Sequence, residues 1–280
     1  MFQAKRRLLT GLALLALAAG ALPVEAQVTK IRVSTIPIID TAPMQAAIAK
    51  GFFAEQGLGF EVIAAGSGTG ATAPDLAGLV ARTGSSIKTG KDLEGKRVAV
   101  NTRNNIIWLY ARAWVQATGG DPDKVNYLEV PFPQMNDALR GDRVDAAFVV
   151  EPFLSAGLQS KATQLVGWPY NVVGKNIPVG MYAATASYIK EHPDVIAKFV
   201  RGYNKGVDWI NQNKGSEEWL KIISGYTRMK PELLKELNLP LFEKTVDPKG
   251  IDEVVALMRK HKLLEGAFDS KALLYKTVTK

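Results

Sequence analysis

Three short stretches carry side chains able to hold or transform a small polar molecule. Thr35-Ile36-Pro37-Ile38-Ile39-Asp40-Thr41, Asn101-Thr102-Arg103-Asn104-Asn105 and Glu151-Pro152 each follow an apolar, strand-like run. A polar side chain at the carboxyl end of a strand, beside the free N–H groups of the next helix, is placed to hydrogen-bond a ligand. Ile38, Asp40, Thr41, Asn101, Thr102, Asn104, Asn105 and Glu151 are therefore the candidate ligand-binding residues of these stretches. Each has a plainer alternative. Asp40 or Thr41, and Thr102 or Asn104, would serve as helix caps, and Glu151 as a surface charge beside a hinge. Trp108, near the first turn of the helix after Asn105, is a further candidate for ligand contact.

A fourth stretch, Gly66-Ser67-Gly68-Thr69-Gly70-Ala71, fits G-x-G-x-x-A after a strand. Pro74 and Asp75 would interrupt the helix that dinucleotide binding requires there. The reading is a polar loop at a strand end, with Ser67 and Thr69 facing a ligand.

Catalysis is poorly served by these residues. Asp40 and Glu151 form the one conceivable acid–base pair, and no histidine accompanies Ser67, Ser85 or Ser155. The chain has two histidines, His192 and His261, and no cysteine. That excludes disulfides, thiolate metal sites, a cysteine nucleophile and a lipid anchor on cysteine. Neither a metal nor a cofactor is expected.

Lys5-Arg6-Arg7, the apolar run Leu8 to Leu22 and the small-residue end Val24-Glu25-Ala26 read as an export signal. The run is shorter than the ~20 residues that span a bilayer. A soluble periplasmic protein starting near Gln27 is expected. Removing Lys5, Arg6, Arg7 and Glu25 lowers the formal charge from +8 to +6, spread thinly along the chain. Arg259-Lys260-His261-Lys262 is the one basic cluster, and beside Glu253 and Glu265 it reads as a solvated helix end, without a nucleic-acid partner.

Positioning the candidate residues requires alternating strands and helices. Apolar alternation predicts strands over 31–36 and 60–65, and apolar runs predict others at 76–82, 97–101, 125–130, 144–150 and 178–186. Helices are predicted over 44–56, 105–117 and 134–139. Pro193 opens a long helix as an N1 proline, with Val195, Phe199, Tyr203 and Val207 on one stripe, and the remainder reads mainly helical. This is an α/β chain in two lobes: 27–95 with 179–280 form the first, and 96–178 the second.

IRVSTIPIIDTAPMQAAIAKGFFAEQGL, KTGKDLEGKRVAVNTRNN and ALRGDRVDAAFVVEPF, in that order, resemble the ABC-importer solute-binding proteins of the nitrate, sulfonate, taurine and thiamine-pyrimidine-precursor group. The resemblance implies a two-lobed type II periplasmic binding fold that closes on a small polar ligand and delivers it to a membrane permease, as a monomer. It also exposes a departure: Leu58-Gly59-Phe60 joins directly what the family separates by roughly 40 residues, about a quarter of a typical domain, so a shortened first lobe is expected. Asp40 and Glu151 disfavour a bare anion and suit an amine- or pyrimidine-bearing ligand, whereas Arg103 would favour an anion. The alternatives are an enzyme on the same scaffold, of precursor-synthesising or dehydratase type, and a degenerate homologue that binds nothing.

Overall fold

The computed structural model describes residues 28–64, 76–172, 178–237 and 241–275. The export signal and the Gly66–Gly70 loop with Ser67 and Thr69 lie outside the described residues.

The chain opens with β1 (Thr29–Thr35), α1 (Ala42–Ala49) and β2 (Leu58–Ala64), which returns to pair parallel with β1 from Thr29↔Leu58 to Thr35↔Ala64. Alternate residues of β1 face the helices, as the sequence alternation requires. This sheet has two strands among the described residues.

The larger sheet is built from β3 (Ala77–Arg82), β4 (Arg97–Val100), β5 (Asn126–Glu129), β6 (Ala146–Val150) and β7 (Thr163–Gly167), in the order β5-β4-β6-β3-β7. β4 runs parallel to β5 and β6, and β3 runs antiparallel to β6 and β7. Helices α2 (Ile106–Ala117), α3 (Phe132–Arg140) and α4 (Phe153–Gln159) connect its strands. All five residues of β6 are buried, which explains why its sequence is a continuous apolar run.

The rest is helical: α5 (Ala186–Glu191), α6 (Pro193–Gln212), α7 (Glu217–Thr227), α8 (Pro231–Leu234), α9 (Pro248–Lys260) and α10 (Ser270–Leu273). Pro193 stands at the start of α6 as expected, and the stripe predicted on it meets α1 and β2: Val195, Phe199 and Tyr203 pack with Met44, Ala47, Phe53 and Phe60.

Three expectations need correction. Residues 178–185 form no regular element; the segment is held by side chains, with Tyr182 packed edge-on against Phe199 and Tyr203. Residues 77–82 were grouped with the first lobe but pair inside the larger sheet, because strand propensity says nothing about which sheet a strand joins. Finally, α9 was grouped with the first lobe, yet Leu257 belongs to the core of the larger sheet, and Val254 and Met258 pack against it. An amphipathic stripe shows that a helix is covered and not by what.

Candidate functional site

The carboxyl ends of β1, β4 and β6 carry the three loops singled out by residue type, the position at which open α/β sheets take ligands. After β1, the chain turns through a single 3-10 turn, Ile39–Thr41, into α1. Thr41 Oγ1 donates to the carbonyls of Ile36 (3.1 Å) and Ile38 (2.9 Å), and Tyr226 Oη donates to the Ile38 carbonyl from α7 (3.2 Å). Thr41 is thus committed to folding the loop. Ile36 and Ile38 leave the first lobe altogether and pack into the core of the larger sheet.

This turn delivers Asp40 to a position where it is 6% exposed. Its carboxyl accepts from its own backbone N–H, and no other described residue donates to it. Burial pushes it up to about 7; its own N–H opposes this, and the charge of Glu151 adds to it.

Glu151 follows β6 and is 3% exposed. Its backbone N–H donates to the Leu76 carbonyl (2.9 Å), and its carbonyl accepts from Ile39 N–H (3.2 Å), tying the Asp40 loop to the larger sheet. Ser155, in α4, donates its hydroxyl to Oε1 (2.7 Å) and its backbone N–H to Oε2 (3.1 Å). Burial raises this carboxyl too, against those two donors. It is a buried, helix-held carboxylate, not the surface charge of the plainer alternative. The structure thus brings Asp40 and Glu151 together.

Four tyrosines feel the charge of Asp40: Tyr170 from the turn 169–172, Tyr182 from the 178–185 segment, Tyr203 on α6 and Tyr226 on α7. Burial raises each hydroxyl, Tyr182 to about 12, and the Asp40 charge raises each further. Tyr182 packs against Tyr203 at 5.6 Å between ring centres, and its hydroxyl lies 3.5 Å from Thr35 Oγ1. None was singled out by sequence. Tyr203 showed only as one apolar stripe residue, and the other three come from positions with no motif.

The loop after β4 is organised differently. Asn105 caps α2 by accepting from Trp108 N–H (3.1 Å) and donates to Asn101 Oδ1 (2.9 Å). The cap is Asn105, one residue beyond the predicted Asn104. Asn104 is exposed with φ 57°, a left-handed turn residue. Thr102 Oγ1 donates to the Asn101 carbonyl (2.8 Å). Arg103 bends toward β5, donating its guanidinium to the Tyr127 carbonyl and its N–H to Glu129, so it is engaged by β5 instead of aimed at a ligand. Trp108 lies under the Arg112 guanidinium, 4.7 Å from the ring centre, and edge-on to Tyr127.

The site therefore offers two buried carboxyl groups as hydrogen-bond acceptors. Among the described residues, no group of three or more His, Asp or Glu is placed to hold a metal, and no helix is long and apolar enough to cross a membrane.

Two α/β lobes with a buried carboxylate at their junction define the class: a periplasmic-binding-protein fold. Residues 70–215 match the family model described as NMT1/THI5-like, just over half of the chain, and the chain belongs to that family. It is 28% identical over 129 residues to the bicarbonate-binding protein CmpA of Synechococcus sp., covering 44% of this chain and 27% of CmpA. The match thus spans about a quarter of that relative's length. Among solved structures, the periplasmic aliphatic sulphonate binding protein SsuA from Escherichia coli superimposes with TM-score 0.71 at 13% identity, covering 89% of this chain and 92% of SsuA. The desulfurization enzyme DSZB shares the fold at TM-score 0.61 and 12% identity, over 88% of this chain and 96% of DSZB.

Proposed function

We propose that this chain is the periplasmic solute-binding protein of an ABC importer. It captures a small polar molecule, of the sulfonate or taurine, nitrate or aminopyrimidine type, between its lobes and hands it to a membrane permease without turnover, acting as a monomer. The observation that carries this reading is Asp40: a buried carboxyl where the two lobes meet, with no donor from any other described residue. A polar group in that state costs free energy unless something else satisfies it, and a ligand closed between the lobes supplies that partner. The family membership and the SsuA-like fold support the same reading.

The DSZB likeness raises the second reading, an enzyme on this scaffold. The candidate loops offer no histidine, and the chain offers no cysteine, to carry a nucleophilic step.

Calorimetry of the chain lacking residues 1–26, against sulfonates, nitrate, bicarbonate, taurine and aminopyrimidines, tests the proposal. Saturable heat from one compound, recovered unchanged afterwards, is expected. Chemical conversion of the compound would favour the enzyme, and the absence of heat from every compound would favour a non-binding homologue.

A further inference from the structure

We propose a second ligand site at the far end of the larger sheet: a pocket between the amino ends of β4 and β6 and the end of β3, in which Arg82 and Lys96 hold the oxyanion of a small carboxylate- or phosphate-bearing molecule. It is separate from the Asp40–Glu151 junction and does not depend on the solute-binding reading. Asp145 and Glu151 flank the five residues of β6 on either side, which sets the two places about 20 Å apart at ~3.3 Å per residue.

The first observation is a cavity with fastened walls. Its volume is about 450 Å³, within the range of about 300–1,000 Å³ usual for small-molecule sites. One wall is the turn that follows β3. Gln164 on β7 clips it from both sides, accepting from Gly84 N–H (2.9 Å) and donating to the Ser85 carbonyl (2.8 Å). Thr83 adds two ties to the start of β7, its N–H to the Ala162 carbonyl (3.1 Å) and its hydroxyl to the Lys161 carbonyl (2.7 Å). The other wall holds Lys96 and Asp145, which precede β4 and β6 and are joined by Asp145 N–H donating to the Arg97 carbonyl (2.8 Å). A ligand entering here has little backbone to order.

The second observation is the balance of charge. Three cations, Arg82, Lys96 and Arg97, stand against two acids, Asp142 and Asp145. Arg97 answers Asp145 on both oxygens: Nη2 donates to Oδ1 (2.9 Å), while Nε (3.1 Å) and the backbone N–H (2.7 Å) donate to Oδ2. Those bonds hold the Asp145 carboxyl below its ordinary range, so it stands as one half of a closed ion pair. Arg82 and Asp142 form a looser pair, 3.3 Å apart, with side chains 55% and 66% exposed. Such a pair contributes little to stability, and the guanidinium has five N–H donors to share with a second acceptor. Lys96 then carries the positive charge in excess. An oxyanion between Arg82 and Lys96 forms charge-assisted bonds to both, and Asp142, facing the same space, opposes it.

That opposition gives the test its sign. Calorimetry of the chain lacking residues 1–26, with citrate, glycerol 3-phosphate and inorganic phosphate at constant ionic strength, compares the wild type with Arg82→Gln, Lys96→Gln, Asp142→Asn and a control, Lys221→Gln on α7. The expected result is saturable binding of at least one of the three anions. Arg82→Gln and Lys96→Gln each weaken it about fivefold or more, Lys221→Gln leaves it unchanged, and Asp142→Asn strengthens it, because Arg82 is then released. Circular dichroism checks that each variant is folded, and the two cation variants report independently, so either suffices. Silence from all three anions overturns the inference and leaves the solute-binding reading standing. Binding that survives both cation variants places the anion elsewhere on the chain and overturns the site. Weaker binding by Asp142→Asn overturns it as well, since it would make Asp142 a partner of the ligand and not its competitor for Arg82.

Discussion

Ile39 donates its backbone N–H to the carbonyl of Glu151 across 3.2 Å, so the turn that carries one buried carboxyl is bonded to the residue that carries the other. The two acids come from different lobes and different strand ends, yet one peptide bond's hydrogen bond fixes their approach. Their proximity is a product of backbone geometry, and the chain tolerates its electrostatic consequence.

That consequence is measurable as stability. Asp40 has its carboxyl raised to about 7 from an ordinary value of 3.8, so the folded state binds the proton more tightly than the unfolded chain. Stability from this group is full below pH 3.8 and is lost as pH rises toward and through 7. At 1.36 kcal/mol per pKa unit the penalty at pH 8 is on the order of 4 kcal/mol. Asp40→Asn removes the ionisation, and thermal melts at pH 8 are expected to show a rise of roughly 5–10 °C over the wild type. The gain should shrink steadily as the melts are repeated toward pH 4.

Ser155 offers a complementary test. Its hydroxyl lies 2.7 Å from Glu151 Oε1, and Glu151 is 3% exposed. Ser155→Ala leaves that oxygen unmatched and is expected to cost about 1–3 kcal/mol in urea denaturation at pH 7.5. The carboxyl, already raised by burial, should rise further, so the deficit narrows as the buffer is acidified and Glu151 is protonated. A deficit that stays constant with pH would mean that Ser155 acts through packing alone.

The first-lobe packing rests on a close approach visible at Gly206. A Cβ built there would stand 2.2 Å from the Pro43 carbonyl oxygen and 2.8 Å from Ala47 Cβ, so α6 lies against α1 at a distance that only glycine allows. Asp40 stands three residues before Pro43, in the turn that leads into α1. Gly206→Ala is expected to destabilise the chain by about 1–3 kcal/mol, and also to weaken ligand binding. Gly225→Ala, at an α7 position with nothing within 4 Å of the added carbon, is the control and should be neutral or mildly stabilising.

How much of this was legible beforehand differs between elements. The strands 97–100 and 146–150 and the helix 106–117 were readable because apolar periodicity reports burial directly, and Asp40 and Glu151 were singled out because the carboxyl end of a strand is where open α/β sheets take ligands. The tyrosines affected by the Asp40 charge were not readable. Tyr170, Tyr182 and Tyr226 come from a turn, an irregular segment and a distant helix, and no local spacing relates them. Nor could periodicity tell that residues 77–82 pair antiparallel with β6, because pairing partners are set by the whole topology and not by the strand itself.

α9 shows the same limit, and also supplies the last prediction. Its final residues read as a solvated basic end, yet His261 is 8% exposed, with Nε2 buried and without a hydrogen-bond partner among the described residues. Burial lowers its proton affinity, and Arg112 on α2 and Lys260 beside it lower it further, against the opposing charge of Asp123. The native state thus prefers neutral imidazole. Below the ordinary value of 6.5 the unfolded chain takes up the proton first, so stability falls as pH drops from 6.5 toward the lower native value. Hydrogen exchange of α9 should accelerate between pH 6.5 and pH 5 beyond the intrinsic trend, because protonation places a cation beside Arg112 in the contact that seats the helix on the larger core. His261→Gln, which cannot ionise, should lack that acceleration while keeping the global fold. An unchanged exchange profile in the wild type would show that the imidazole is free to turn toward water, and that the apolar contacts of Leu257 and Met258 alone hold α9 in place.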